Sequence, residues 1–425
     1  MLIVLPSRDS NIEVLQASEE LNWYRGNLHT HSHWSDGDDY LEMIAQWYQD
    51  HDYQFLVFTD HNVLADHERW VKVEESKGGR EAFDELTAKF PALVDQRSDE
   101  NGEQEVRLRT FEEVANQFDD PGKFLLIQGE EISDKFEDAP VHLCASNIVE
   151  LIPPMKGQTV YETIQNNVRA VIAQREKTDQ SMMVHLNHPN FGFGITAEDL
   201  VRVQGERFFE VYNGHPGVAN TGDEQHAGTE RVWDIVLTLR LTELHLPMMY
   251  GLAVDDGHAY HHVPNRESNP GRGWVMVLAE ELTAAALIDA LEAGRFYASS
   301  GVTLQQIESS REAISVEVDA VEGETYTIDF IGTRSGFDAA SNPVVDDEGT
   351  EVRATRRYSD DIGETFASVQ GPQGTYRFTG DELYVRARVT SSAPHPNPSE
   401  LGDYQQAWCQ PVLGPAIRPD EHEQQ

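Results

Sequence analysis

Six short segments, spread from Asn27 to His258, carry the imidazoles and carboxylates with which proteins bind divalent metal ions. Such ligands suit Zn²⁺, Mn²⁺ or Fe²⁺. The segments are Asn27-Leu28-His29-Thr30-His31-Ser32 with the nearby Ser35-Asp36-Gly37, then Thr59-Asp60-His61, Gly129-Glu130-Glu131, His142, Asn187-His188-Pro189 and Asp255-Asp256-Gly257-His258. Together they predict a metal-dependent hydrolase.

The spacing within these segments allows neighbouring side chains to share a metal ion. Residues two apart in an extended strand face the same side, so His29 can point with His31, and Asp256 with His258. A carboxylate such as Glu131 can bridge two cations, and Asp36, between a serine and a glycine, can turn back toward them. Bridged metals lower the pKa of water and stabilise the attacking and leaving oxygens of a hydrolysis.

Each segment taken alone also has a structural explanation. His142 could be a buried core residue, and Thr59-Asp60-His61 could cap a helix. Only one of each adjacent acid pair, Glu130 or Glu131 and Asp255 or Asp256, is expected to face the site, and His185 competes with His188 as a ligand. The recurrence of such segments after apolar runs favours the metal site.

The elements that position these residues are strands that alternate with helices. Strands are expected to end near His31, Asp60, Gly129, Ser146, Asn187, Asn213 and Val254, with amphipathic helices at 40–50, 160–174 and 229–244. This alternation predicts parallel βαβ units closed into an α/β barrel, and barrel sites lie at the carboxyl ends of strands. The polar interval 63–123 could be a plain insertion or a lid.

After a helix at 283–293 the pattern changes to short alternating strands at 314–318, 326–331 and 384–390. We therefore expect two parts, a hydrolase barrel over 1–300 and a small all-β, sandwich-like C-terminal module over 301–425.

The composition is strongly acidic, with 32 Lys and Arg against 74 Asp and Glu and a formal net charge of −42. Such a chain should repel nucleic acid and anionic membranes, so the expected partner is a small-molecule substrate. The two cysteines form no disulfide framework or zinc motif. No apolar run is long enough for a membrane span, and residues 1–20 lack a signal-peptide pattern, so a cytoplasmic location is expected.

The metal-binding segments resemble the PHP (polymerase and histidinol phosphatase) family, in particular the branch that includes carbaryl hydrolase and related metal-dependent phosphoesterases. The motifs that carry the resemblance are Arg25-Gly26-Asn27-Leu28-His29-Thr30-His31-Ser32, Ser35-Asp36-Gly37, Thr59-Asp60-His61-Asn62, Gly129-Glu130-Glu131, Val141-His142, Asn187-His188-Pro189, Asp256-Gly257-His258 and the stretch 290–297.

The resemblance implies a distorted (β/α)7 TIM-like barrel that holds two or three divalent ions, Zn, Mn or Fe. It would assign His29, His31, Glu131 and Asp256 to the first metal, Glu131, His142 and His188 to the second, and Asp36, His61 and His258 to the third. The family pattern favours Glu131 over Glu130, and Asp256 alone forms Asp-x-His. Asn27 departs from the pattern, since many members have Asp there, but it is not a ligand.

Further residues are expected around these ligands. Asp60 could orient His61 or His29, because metal-bound imidazoles commonly donate their other N–H to a carboxylate. It joins Glu131 and Asp256 as the predicted catalytic residues. Arg25, Lys135 and Arg272 could hold an anionic group of the substrate or have scaffold roles, and Glu210 and Asn213 could line the mouth or support the barrel.

The expected activity is hydrolysis of a small phosphoester by a metal-bridging hydroxide. The alternative within enzymes is hydrolysis of a carboxyl ester, amide or carbamate at the same site. A third possibility is a non-catalytic metal-binding module, which the ligating residue at every expected position disfavours.

Overall fold

The computed structural model of the protein describes residues 12–18 and 20–417. The N-terminal segment 1–20, which lacks a signal-peptide pattern, therefore lies mostly outside the described residues, namely at 1–11 and 19. The α-helices are α1 (Leu41–Asp50), α2 (Gly79–Lys89), α3 (Phe111–Phe118), α4 (Val160–Thr178), α5 (Ala197–Leu200), α6 (Thr229–Leu239) and α7 (Ala284–Glu292).

The described residues are rich in strands. In chain order these are β1 (Glu13–Leu15), β2 (Asn22–Asn27), β3 (Phe55–Phe58), β4 (Arg69–Lys72), β5 (Gln96–Ser98), β6 (Gln104–Leu108), β7 (Leu125–Phe136), β8 (Ala139–Ser146), β9 (Met183–Leu186), β10 (Phe208–Asn213), β11 (Tyr250–Val254), β12 (Trp274–Ala279), β13 (Phe296–Ser299), β14 (Leu304–Ser309), β15 (Ala313–Val318), β16 (Tyr326–Arg334), β17 (Ser341–Asn342), β18 (Arg357–Tyr358), β19 (Glu364–Gln370), β20 (Gln373–Arg377), β21 (Glu382–Pro394), β22 (Tyr404–Cys409) and β23 (Val412–Leu413).

A large mixed sheet forms the centre of this α/β fold. Its strand order is β11-β10-β9-β8-β7-β3-β2-β12-β13-β22-β21-β16-β19, and β23 pairs with β21. Strands β2, β3 and β7 are parallel neighbours, as are β9, β10 and β11, whereas β8 runs antiparallel to both β7 and β9. The uniformly parallel arrangement expected from the sequence is therefore wrong at β8, which returns from β7 as a hairpin.

The ends of strands β2 and β11 meet beside the metal-binding segments. Thr30 forms a parallel bridge with Gly257, and the His31 N–H donates to the Gly257 carbonyl at 3.0 Å. The Asn27 Oδ1 accepts from the Asp255 N–H at 3.0 Å, and its Nδ2 donates to the His29 carbonyl at 2.9 Å and to the Thr30 hydroxyl at 2.7 Å. An aspartate could not make the last two bonds. These contacts place the His-x-His and Asp-x-His segments side by side. Closure of the sheet into a seven-fold barrel stays a prediction.

Most expected elements agree with the structure. Strands end at Phe58, Ser146, Leu186, Asn213 and Val254, each within two residues of its predicted end. The helix expected at 229–244 is α6, followed by a π-helical turn at Arg240–Leu244. These elements were predictable because the apolar runs that form the strands are buried along their whole length, as in β3 and β11.

The interval 63–123 forms a small unit with its own three-stranded sheet, in the order β4-β6-β5. Helices α2 and α3 accompany it, and Thr110 with Glu113 makes a capping box at the start of α3. Val73, Phe83 and Val106 are buried in the same apolar cluster as Tyr48 of α1. The interval is thus a folded insertion that packs against the main sheet.

The C-terminal residues are mainly strands, as expected, and they continue the large sheet. Strand β13 pairs with β22 through Tyr297 opposite Cys409, and β1 joins the second sheet, β1-β14-β15-β20. The Arg386 side chain on β21 donates to both carboxylate oxygens of the buried Asp234 on α6, at 2.8 and 2.7 Å. Across residues 12–18 and 20–417, no helix has the length and apolar character needed to cross a membrane.

Candidate metal centre

The nine expected ligands converge on one buried site. His29 and His31 follow β2, His61 follows β3, and His188 follows β9, while Asp256 and His258 follow β11. Glu131 and His142 instead lie within the β7–β8 hairpin, away from the strand ends where they were expected. They reach the site because the hairpin extends beyond the strand ends that surround it. Asp36 comes from the turn after His31.

Glu131 is the centre of the arrangement. Its Oε1 lies 3.0 Å from His142 Nδ1, 3.3 Å from His188 Nε2 and 3.5 Å from His29 Nε2. Its Oε2 lies 2.5 Å from His61 Nδ1 and 3.5 Å from His31 Nε2. One fully buried carboxylate is therefore surrounded by five imidazoles.

A second carboxylate, Asp256, lies beside the His-x-His pair. Its Oδ1 is 3.2 Å from His29 Nε2 and 3.3 Å from His31 Nε2, and these two ring nitrogens are 3.1 Å apart. The backbone of Asp256 has a φ of +49°, in the left-handed region that non-glycine residues seldom adopt. Strain of this kind is typical of functional sites, where the surrounding structure enforces it.

Asp36 forms the outer part of the site. Its Oδ1 lies 3.3 Å from His258 Nε2, 3.5 Å from His61 Nε2 and 3.7 Å from His31 Nδ1. The side chain of Asp36 is 54% exposed, whereas those of Glu131 and Asp256 are 0% and 6% exposed. The outer end of the site therefore opens to solvent.

Among residues 12–18 and 20–417, five sets of side chains have possible ligand atoms that lie within 4.8 Å of one another in each set. They are His29-His31-Glu131, His29-His188-Asp256, His61-Glu131-His142, His31-Asp36-His61-His258 and His29-Cys144-His185. The fourth set contains all three residues implied for a third metal and adds His31. The third pairs His142 and Glu131 with His61, where the resemblance implies His188.

The structure separates the alternatives that the sequence left open. Glu130 turns away from the site and accepts from the Ile152 N–H at 2.7 Å. Asp255 accepts from the Tyr48 hydroxyl at 2.7 Å and from the Arg272 N–H at 2.6 Å. His185 Nε2 faces Glu210 at 3.2 Å. In each of the three pairs the other member, Glu131, Asp256 or His188, therefore faces the site.

Glu210, which the sequence indicated only weakly, contacts the ring of His29. Its Oε1 lies 2.7 Å from His29 Nδ1, and its Oε2 accepts from the His188 N–H at 2.7 Å and from Asn213 Nδ2 at 2.8 Å. A carboxylate there fixes the tautomer, with the proton on Nδ1 and the lone pair of Nε2 toward Glu131 and Asp256. The position of Glu210 near the end of an apolar strand indicated a site residue, but its contact with His29 could not be predicted from the sequence.

Two residues also hold Glu131, namely Asn187, whose segment was identified from the sequence but which was given no role, and Ser133, which was not identified. Asn187 Nδ2 donates to Glu131 Oε1 at 2.7 Å, and its Oδ1 accepts from the Cys144 N–H at 2.9 Å. The Ser133 hydroxyl lies 2.5 Å from His61 Nδ1 and donates to the Glu131 carbonyl at 3.2 Å. Ser133 follows Glu131 by two residues in a strand, and this alternation was the available signal.

Asp60 lies close to the site, but its carboxylate binds the turn from Ser32 to Ser35 and not an imidazole. Its carboxylate accepts from the Ser32 N–H at 2.8 Å, the Ser32 hydroxyl at 2.7 Å and the Ser35 hydroxyl at 2.6 Å. The orienting role expected toward His29 belongs to Glu210. Asp60 instead fixes the turn that carries Asp36, and its catalytic role stays a prediction.

The three cations expected to bind substrate differ in position. Arg25 lies in β2 before the site, where its guanidinium covers the Trp274 ring at 3.6 Å and the Tyr53 ring at 4.0 Å. Arg272 is fully buried and donates to the Gly214, Asn265 and Asn397 carbonyls. Both contact the protein scaffold in this structure, and their role toward the substrate stays a prediction. Lys135 is exposed on β7 and alternates onto the face of Glu131 and Ser133.

The electrostatics keep the carboxylates ionised. Burial alone would raise the pKa of Glu131, yet His142, His61 and His29 hold it well below its ordinary value. The pKa of Asp256 is likewise held well below its usual range, against burial, chiefly by His29. Burial and the neighbouring His258 lower the pKa of His31 to about 3. The same carboxylates, Asp256 beside His29 and Glu131 beside His61, raise the pKa of His29 well above its ordinary value and that of His61 to about 9, against burial. Metal binding needs neutral ring nitrogens and anionic oxygens, so it would displace protons from these two rings.

The donor set fits divalent cations. Nitrogen and oxygen donors surround a buried centre, and the imidazole of His29 has the carboxylate partner usual for a metal ligand. The ring of His258 is fixed in a similar way, because its Nδ1 lies 2.8 Å from the Asp256 carbonyl and its Nε2 is left toward Asp36.

Comparisons with known proteins identify no family or curated relative that matches the sequence. Among solved structures, a two-domain protein from Bacteroides vulgatus containing a predicted PHP-like metal-dependent phosphoesterase is 13% identical, with a TM-score of 0.41 over 92% of this chain and 96% of that one. PsfC from Pseudomonas syringae is 10% identical, with a TM-score of 0.30 over 60% and 82%. A candidate metal-dependent phosphoesterase from Bifidobacterium adolescentis is 12% identical, with a TM-score of 0.23 over 44% and 77%.

Proposed function

We propose that this chain is a metal-dependent hydrolase of small phosphoesters, of the PHP kind that its motifs resemble. One observation carries the proposal. The buried carboxylate of Glu131 has nitrogens of five imidazoles within 3.5 Å, and Asp256 lies against two of the same rings. Such a cluster would be costly to bury as a purely structural feature, whereas divalent cations would satisfy its lone pairs.

The nine converging residues would hold two or three ions. His29, His31, His142, His188, Glu131 and Asp256 would hold the inner ions, and Asp36, His61 and His258 an outer one. When bound, such ions lower the pKa of water and polarise a phosphoryl oxygen. Among the protein's own groups, Glu210 orients His29, Asn187 fixes Glu131, and Asp60 holds the turn that presents Asp36.

The charge distribution favours a small substrate. The formal charge of −42 repels a long polyanion, while two or three divalent ions would outweigh the three carboxylates Asp36, Glu131 and Asp256 among the ligands. A small phosphoester could thus bind where a polynucleotide would be repelled. In this proposal residues 1–300 carry catalysis and residues 301–425 form the β-rich module.

The test is metal analysis followed by a substrate panel. We expect two or three equivalents of Zn, Mn or Fe per chain after purification without chelators or a histidine tag. The loaded protein should then hydrolyse small phosphoesters and be inhibited competitively by inorganic phosphate. Turnover of carbamates or carboxyl esters alone would overturn the phosphoester assignment. At most one equivalent, unchanged after incubation with these metals, would overturn the multinuclear centre.

A further inference from the structure

A cavity of about 620 Å³ lies next to the outer end of the metal centre. One side is formed by the turn that holds His33, Ser35 and Asp36, and the other by the folded insertion, from β4 to Lys77. Its volume falls in the range that suits small-molecule sites. The insertion therefore borders the space that a substrate would occupy beyond Asp36.

The carboxylates that line this cavity already face positive or imidazole partners. Glu75 pairs with Lys72 at 3.0 Å, and Glu105 pairs with Arg97 at 2.6 Å. Asp36 faces the rings of His31, His61 and His258. The lining carboxylates are thus already paired, and the charge that a bound molecule would meet in the cavity depends on the remaining cations.

Two lining cations, Arg69 and Lys77, have no carboxylate partner among the described residues. The Arg69 guanidinium donates through Nη1 to the Trp34 carbonyl, and Lys77 Nζ donates to the Asp36 carbonyl at 2.5 Å. Each bond uses one N–H and leaves others available. In a chain with more than twice as many acids as bases, two cations held by neutral carbonyls beside a metal centre are suited to bind an added anion.

His33 forms part of the cavity wall. His33 is 6% exposed, and its Nδ1 lies 3.1 Å from the Gly37 carbonyl. Its Nε2 is buried and has no hydrogen-bond partner among the described residues. Because Nε2 is closed off from solvent, an occupant of the cavity would meet the free N–H groups of Arg69 and Lys77 and not this ring nitrogen.

We infer that this cavity is the subsite for a second anionic group of the substrate, which Arg69 and Lys77 bind while the phosphoester lies at the metal centre. The inference rests on the proposed function and narrows it. The substrate class becomes small phosphoesters whose organic part ends in a carboxylate or a further phosphate. The insertion then determines specificity by supplying both cations.

The experiment measures binding, so that it does not depend on turnover. Phosphonates with two to five carbons and a terminal carboxylate are titrated calorimetrically into the metal-loaded full chain, each beside the uncharged alkylphosphonate of equal length. These probes keep the anions but cannot be hydrolysed. The variants are Arg69→Gln and Lys77→Gln, with Lys89→Gln as a control, because Lys89 lies on α2 and pairs at the surface with Asp50.

We expect the wild-type chain and the Lys89→Gln variant to prefer the carboxylate probe by at least about tenfold at one chain length, as charge-assisted hydrogen bonds provide. Either cavity variant should reduce that preference, which is the ratio of the affinities for the two probes, about tenfold. The subsite would be overturned if no probe bound, or if the wild-type chain showed no preference for the carboxylate probe at any length. It would also be overturned if the preference survived in both variants. Lack of phosphoester turnover with the preference intact would instead overturn the proposed reaction.

Discussion

At the scale of single residues, the site depends on how a few side chains are fixed. The ring of His29 has one nitrogen against Glu210 and the other against Glu131, Asp256 and His31. Such a ring cannot rotate without losing a hydrogen bond on one side. Its lone pair is therefore directed before any ion binds, which lowers the cost of ordering the site.

Replacing a central ligand should remove metal without unfolding the chain. We expect His29→Ala or Asp256→Ala to lose most bound metal and activity. His29 contacts both Glu131 and Asp256, and Asp256 contacts the rings of both His29 and His31. Elemental analysis, activity and circular dichroism would be compared with His67→Ala, an exposed histidine beside Asp66. Full activity in either ligand variant would contradict the site assignment.

The orienting carboxylate should matter almost as much as a ligand. We expect Glu210→Gln to weaken metal affinity by about 10- to 100-fold, since the amide holds the His29 N–H less strongly. Competition with a chelator would measure the affinity. Glu150→Gln is the matched control, because that carboxylate pairs with Lys177 at the surface. If the Glu210→Gln variant bound metal as tightly as the wild type, Glu210 would have only a structural role.

At the scale of elements, the β7–β8 hairpin changes the expected picture most. The polar stretch after Glu131 does not look like a strand, yet β7 continues to Phe136 and β8 begins at Ala139. Glu137, with a φ of +52°, makes the turn between them. The sequence therefore predicted the strand that ends at Ser146 but not its direction, because direction is decided by a short polar turn.

Five of the seven expected strand ends agree with the structure, whereas β2 ends at Asn27 and β7 at Phe136, four and seven residues from the expected His31 and Gly129. Side-chain partners were not predictable from the sequence. His29, His61 and Asp256 follow apolar runs whose burial requires polar residues to begin where the sheet ends. Arg25 shows the opposite case, because its packing on Trp274 and Tyr53 joins residues distant in sequence. A substrate-binding role was therefore predicted for Arg25 from its residue type alone. Arg69 and Lys77, which lie in the insertion, were not identified from the sequence.

Helix α6 and strand β21 are joined by a buried ion pair. Arg386 is 1% exposed and Asp234 is 3% exposed, so removal of the cation leaves a carboxylate without its partner. We expect Arg386→Met to lower the free energy of unfolding by about 3–5 kcal/mol, measured by urea denaturation. Arg80→Met, at the exposed pair with Glu74, should cost at most about 1 kcal/mol. Equal losses would contradict the role assigned to burial.

At the scale of the whole molecule, stability should depend on pH through Glu206, a buried residue just before β10. Burial raises the pKa of its carboxyl to about 8, and the Phe208 N–H and Arg240 oppose this only in part. The folded chain keeps the proton that the unfolded chain releases near pH 4.5. The stabilisation is thus complete below that pH and is lost as the pH rises toward 8.

Glu206→Gln should remove this dependence. Between pH 5 and pH 8 the wild type is expected to lose up to about 1.4 kcal/mol per pH unit relative to the variant. Urea unfolding at each pH would measure the difference, and Glu150→Gln controls for a lost surface charge. Parallel pH curves for wild type and Glu206→Gln would show that Glu206 is ionised in the folded chain.

The pairing of β13 with β22 has a consequence for how the chain is made. Strand β13 ends at Ser299, and its neighbour on the far side begins at Tyr404, about 100 residues later. At roughly 5–20 residues per second, the edge of β13 leaves the ribosome about 5–20 s before its partner. During that interval the nascent chain has an unpaired strand edge, the kind of surface that chaperones shield.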